Sequence, residues 1–105
     1  MCYAGVVKRR VEFATAALKA LSSMPKTYRK FVLDGIQTHL SDNDASEVSR
    51  NKFPLKRPSP YADRELRLDN WRVFYTVLGG DLVLVNMIGE KRGNKLFVQG
   101  EEFAL

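Results

Sequence analysis

The chain predicts an α+β domain: a small twisted antiparallel sheet with an N-terminal helical hairpin packed on one face, in the order β-α-α-β-β-β. Three observations predict it. Thr15 to Leu40 has helical composition and apolar spacing, interrupted at Ser22-Ser23 and Pro25. RELRLDNWRVFYTVLGGDLVLVNMI, Arg64 to Ile88, alternates as strands do and carries Asp69-Asn70 and Gly79-Gly80 at the spacing of two-residue hairpin loops. With 105 residues there is room for one domain, residues 1–105, and one real core.

Taken in order, Val7 to Phe13 alternates loosely and reads as a short first strand. TAALKALSS follows, with Ala14, Ala17, Leu18 and Leu21 at helical spacing. Ser22-Ser23 ends it. Pro25 suits the first turn of a second helix, where a missing N–H is harmless. That helix should run to about Leu40, with Tyr28, Phe31, Val32, Ile36 and Leu40 on one side and Lys26, Arg29 and Lys30 mainly on the other. Two helices joined so tightly form an antiparallel hairpin. Ser41 to Asp63 is polar and broken by Pro54, Pro58 and Pro60, a long loop that Phe53 and Leu55 should anchor to the core. Three strands complete the order: Glu65–Leu68, Trp71–Leu78 and Leu82–Ile88.

Composition narrows the function. A hydrophobic share of 45% with 28% charged residues is ordinary for a globular chain. The net charge of +5 favours an acidic partner. No apolar run approaches the roughly 20 residues of a membrane span, so no membrane partner is expected. MCYAGVVKRR places its apolar stretch before its positive charges, the reverse of a secretory signal, so the cytoplasm is the expected compartment. Cys2 is the single cysteine, which excludes an intrachain disulfide and a cysteine metal cluster. The excess charge is local. Between Arg50 and Arg72 seven basic residues stand against three acidic ones.

Alternation sorts the sheet faces. With both turns in the expected register, Leu66, Leu68, Trp71, Val73, Tyr75, Val77, Leu82, Leu84 and Ile88 share an apolar face that should carry the helices. The opposite face holds Glu65, Arg67, Arg72, Phe74, Thr76, Val83, Val85 and Met87. In this register Arg67 lies directly opposite Arg72. Like charges so placed, roughly 5 Å apart at Cβ, are destabilising, so the pairing points to an anion site. A mixed cationic and apolar face suits a binding surface, unless the loop or the C-terminal tail covers it.

Familiar catalytic patterns are absent. His39 stands near a helix end with no cysteine close in sequence and reads as a surface or capping residue. No P-loop, GxGxxG or zinc spacing occurs, and Asp42 and Asp44 read as the polar end of a helix, so neither metal nor cofactor is expected. Gly89 to Lys95 reads as a basic turn that brings Lys91 and Arg92 close to the strand ends. Arg67, Arg72, Lys91 and Arg92 would together clamp a phosphate, since arginine grips it bidentately and positive charge stabilises the pentavalent state. In RNA the neighbouring 2′-OH can attack, so no metal is required. Lysine or tyrosine would have to move the proton.

NKFPLKRPSPYADRELRLDNWRVFYTV and the later NMIGEKRGNKLFVQGEEF resemble the RelE/ParE superfamily of bacterial type II toxins over nearly the whole chain. The likeness lies in a loop ending in a Leu-Arg strand, an aromatic-Arg-Val-aromatic-Tyr strand and a Gly-then-basic ending. It implies a growth-inhibiting toxin neutralised by a cognate acidic antitoxin. In the mRNA-cleaving branch, basic residues on this sheet bind and polarise the scissile phosphate of ribosome-bound message. Arg67, Arg72 and Lys91 fall on such catalytic positions, and Lys52, Lys56, Arg57, Arg92 and Phe97 are the expected RNA contacts. Glu65 stands where the best-known cleavers carry lysine, and Phe97 where several carry tyrosine. The alternatives are a non-enzymatic ParE-like inhibitor of DNA gyrase and a non-toxic relative that binds RNA or protein.

Overall fold

The computed structural model describes residues 10–42, 52–55, 62, 64–78, 82–98 and 101–103. The start of the expected first strand, the Gly79-Gly80 turn, Asp44, Lys56 and Arg57 lie outside the described residues, as does the side chain of Phe53.

Strand β1, Arg10–Phe13, leads into helix α1, Thr15–Ser23. Ala17, Ala20 and Leu21 form its buried stripe, and small alanine side chains let the helix lie close on the sheet. Met24 and Pro25 turn the chain into α2, Lys26–Ile36. Pro25 takes the cap position, where its carbonyl accepts from Arg29 N at 3.0 Å. Arg29 also ties the two helices, its guanidinium donating to Leu21 O at 3.0 Å and Met24 O at 3.1 Å. Leu21 O also accepts from Met24 N at 3.2 Å, so the end of α1 shares that carbonyl between the backbone and Arg29.

The second helix differs from expectation in two ways. It passes into a π-helical turn at Gln37–Asp42, which seats Leu40 and Ser41 in the interior. Val32 and Ile36 are buried as expected, but Tyr28 and Phe31 are 52% and 42% exposed. They lie on the flank of the stripe, where Tyr28 tilts against Trp71 with ring centroids 5.7 Å apart.

The strands that follow are β2, Lys52–Pro54; β3, Arg64–Leu68; β4, Trp71–Val77; β5, Leu82–Arg92; β6, Lys95–Val98; and β7, Glu101–Phe103. They lie in the order β2-β3-β4-β5-β6-β7, and every pair along that path is antiparallel. The expected all-antiparallel sheet is corrected at one place, where β1 runs parallel to β5. β1 takes the first part of β5, from Leu82 to Val85, and β6 takes its last part, from Glu90 to Arg92, so one long strand serves both.

Leu68 pairs with Trp71 and Arg67 with Arg72, the register read from the Asp69-Asn70 turn. Asp69 adopts a φ of 55°, a left-handed conformation that aspartate tolerates well. The next hairpin departs from its expected register. Leu78 N donates to Leu82 O, and Val77 pairs with Val83, one residue beyond the two-residue turn. Val83 and Val85 therefore join the core in place of Leu82 and Leu84. A bulge between Phe74 and Tyr75, opposite Asn86, then restores Val73 to Ile88 and Phe74 to Met87. Asn86 Nδ2 donates to Thr76 Oγ1 at 3.1 Å, which satisfies the displaced side chain.

The main core lies between the hairpin and one sheet face: Ala17, Leu21, Val32, Ile36, Leu40, Leu66, Val73, Tyr75, Val83, Val85 and Ile88. A second cluster sits on the other face, where Phe74, Met87 and Ala62 are buried with Leu55, Leu96 and Val98 against them. Loop and tail residues thus cover the apolar half of the face that was expected to be open. Gly89 permits the tail to lie there. A Cβ on Gly89 would sit 2.9 Å from Leu96 Cδ1 and 3.0 Å from the Phe97 carbonyl oxygen.

Candidate functional site

What stays accessible on that second face is its charged end. Arg67 on β3 and Arg72 on β4 are cross-strand partners, and Gly89 on β5 is the next position across. Lys91 lies two residues further along β5 on the same face, a diagonal spacing of roughly 7–8 Å. It is half-buried, and its backbone N–H donates to Asn70 O at 2.7 Å, which fixes the strand beside the turn.

The opposed arginines are not bare. Glu65 Oε2 lies 3.0 Å from Arg67 Nε and 3.6 Å from Arg72 Nε, so one carboxylate bridges both guanidiniums. Arg72 also donates through Nη1 to the carbonyls of Asp69 and Trp71. Its side chain is 13% exposed and that of Arg67 47%. Burial, and secondarily the Arg67 charge, lower the Arg72 pKa from its ordinary value, while Glu65 acts to raise it. The folded state therefore holds this proton less tightly than the unfolded chain. The ionised group opposes folding at every pH below that lowered pKa, neutrality included.

Three of the expected contacts lie elsewhere. Alternation along β5 sends Arg92 to the hairpin side, where it bonds Glu90 Oε1 at 2.9 and 3.1 Å. Phe97 pairs with Glu90 and shares that side, with the Arg92 guanidinium 4.8 Å from its ring centre. Arg92 and Phe97 line a groove of about 290 Å³ with Met24, Pro25 and Trp71, separated by the sheet from Arg67 and Arg72. The Gly89–Lys95 segment was expected to be a turn that gathered Lys91 and Arg92. Instead β5 continues through Arg92, and a tight turn at Gly93, φ 63°, follows.

Lys52 is the third. It is 1% exposed, pairs with Leu66, and its Nζ donates to the His39 carbonyl at 3.0 Å. That carbonyl belongs to the π-helical turn, whose end needs an outside donor. The side chain fastens the turn to β2 and is buried away from any RNA. Lys52→Met keeps the apolar stem but leaves a part-buried carbonyl without this donor, so it should lower stability by about 1–3 kcal/mol. Urea unfolding of the pure variant measures this. An unchanged midpoint would return Lys52 to the list of surface cations.

Among the described residues no group of three or more His, Cys, Asp or Glu could hold a metal. No helix is long and apolar enough to cross a membrane. The bridging role of Glu65 between the two arginines was not among the expectations, although its place on their face was. Its signal was its place two residues before Arg67, which on a strand means the same face.

The fold and site define a class: a single-hairpin α+β domain whose sheet presents a cationic cluster on the face away from its helices. Solved structures share this architecture. A chain of the toxin–antitoxin complex RelBE2 from Mycobacterium tuberculosis is 21% identical, with a TM-score of 0.67, over 81% of this chain and 93% of that one. A chain of the archaeal RelE–RelB complex from Pyrococcus horikoshii is 22% identical, with a TM-score of 0.61, over 82% and 97%. The fold is thus one found in RelE–RelB complexes. No protein-family model matches the chain, and no curated protein matches it significantly in sequence.

Proposed function

We propose that this chain is the toxin of a type II toxin–antitoxin pair, acting in the cytoplasm to inhibit translation by metal-independent cleavage of ribosome-bound mRNA. The observation that carries the reading is the opposed pair Arg67 and Arg72, with Lys91 diagonal to it, on the face away from the hairpin. Three adjacent strands hold these groups, so their spacing is set before substrate arrives. Arg67 and Arg72 grip the non-bridging oxygens of the scissile phosphate. The adjacent 2′-hydroxyl attacks phosphorus and gives its proton to solvent. The P–O5′ bond breaks, and Lys91 supplies the proton that the departing 5′-oxygen needs.

The likeness to chains of RelE–RelB complexes supports a toxin role, and the net charge of +5 supports an acidic antitoxin as partner. One observation favours a second reading. Glu65 already neutralises much of the charge at the arginines, which suits a non-enzymatic inhibitor of DNA gyrase that uses them as contacts. Purified protein should shorten ribosome-bound message and leave gyrase supercoiling untouched. Intact message with blocked supercoiling would replace the first reading by the second.

A further inference from the structure

We infer that Glu65 is a resident anion in the phosphate site: its carboxylate occupies the place between Arg67 and Arg72 that an RNA phosphate takes, and substrate must displace it. The inference rests on the reading of the two arginines as a phosphate grip. It adds a gate that this reading does not require.

The geometry is that of a captured anion. One oxygen, Glu65 Oε2, approaches Nε of both guanidiniums. Glu65 is 12% exposed at its side chain, and its partner on β4 is Phe74, a buried ring. An apolar neighbour of this kind offers the carboxylate no hydrogen bond of its own. An RNA phosphodiester entering between the arginines would carry the same single charge but offer two non-bridging oxygens, one for each guanidinium, where Glu65 shares one oxygen between both. Displaced by two or three ångströms, Glu65 would come to rest beside the bound RNA as a like charge. The site therefore opens to an anion that can give each arginine an oxygen of its own.

Removing the charge without the shape tests this. Glu65→Gln should bind a short single-stranded RNA made uncleavable by 2′-O-methyl groups about fivefold more tightly than wild type, by fluorescence anisotropy. The logarithmic salt dependence should steepen by about 0.7, the value for one more phosphate neutralised on a single strand. Glu12→Gln changes net charge equally on exposed β1, where Glu12 pairs with Arg10. It should reproduce neither effect. In an Arg67→Gln, Arg72→Gln background the gain from Glu65→Gln should vanish.

Weaker binding by Glu65→Gln would overturn the inference and make Glu65 a residue that holds the arginines in position. A gain matched by Glu12→Gln would overturn it too, as general electrostatics. Should Glu65→Gln fail to fold, the wild type still decides the matter. Titration with inorganic phosphate should shift the Arg67 and Arg72 Nε–H resonances together, and unmoved resonances would refute displacement. The nuclease reading fails separately: RNA bound more tightly by Glu65→Gln, but cut by neither protein, would keep the gate and remove the cleavage.

Discussion

Arg72→Ala should reduce message cleavage by a factor of about 10² to 10³ while the protein remains folded. The size is that of losing one fixed donor to a developing negative charge. Survival of the fold follows from the surroundings. Arg72 is half-buried beside a like charge, its pKa is lowered, and the carbonyls it serves belong to the exposed turn residue Asp69 and to Trp71. Glu65 keeps Arg67 as a partner after the change. Loss of the Arg67–Arg72 repulsion offsets loss of the Glu65 contact, so stability should move by no more than about 1 kcal/mol. The opposite outcome is as clear. A buried arginine that is chiefly structural would lower stability by about 3 kcal/mol or more on removal, and toxicity would fall only in step with unfolding. Denaturation midpoints and single-turnover cleavage, measured on one preparation, decide between them.

The second large effect separates neighbours in sequence. Lys91→Met should lower cleavage by about 10² or more, the usual contribution of a positioned proton donor. Arg92→Met and Phe97→Leu should each leave it within a few-fold of wild type. Sequence alone groups these residues, whereas strand alternation puts Lys91 on the arginine side and Arg92 with Phe97 on the hairpin side. Equal losses in Lys91→Met and Arg92→Met would show that the RNA wraps the end of β5. The single-face site would then be wrong.

These residues also show what could be read from the chain alone. The Arg67–Arg72 register was legible because Asp69-Asn70 fixes a two-residue turn between strands that alternate cleanly. The helices were legible because Ala17, Leu21, Val32 and Ile36 keep helical spacing around a proline break. Leu82-Val83-Leu84-Val85 defeated the same method. Four apolar residues in a row carry no alternation, so a one-residue slip at the turn and its repair at Asn86 leave no trace in the pattern. β2, β6 and β7 are three or four residues long, too short for periodicity to declare them. Lys52 misled for another reason. A buried lysine is specified by the one carbonyl it reaches, and that carbonyl lies 13 residues away on a helical turn.

The parallel pairing of β1 with β5 governs when this protein can fold. Arg10 meets Leu82, 72 residues later, and Val83 and Val85 supply the floor on which the hairpin rests. Contacts of such long sequence separation form late, because the loop must close before any of them can contribute. On a ribosome that adds roughly 5–20 residues per second, the hairpin would wait a few seconds with Ala17, Leu21, Val32 and Ile36 exposed before β5 was made. Arg67 and Arg72 would be synthesised in that interval without the strand that carries Lys91. On the proposed reading the nascent chain would be inactive on RNA in that interval and vulnerable as a hydrophobic surface, and both conditions end with the closure of one strand.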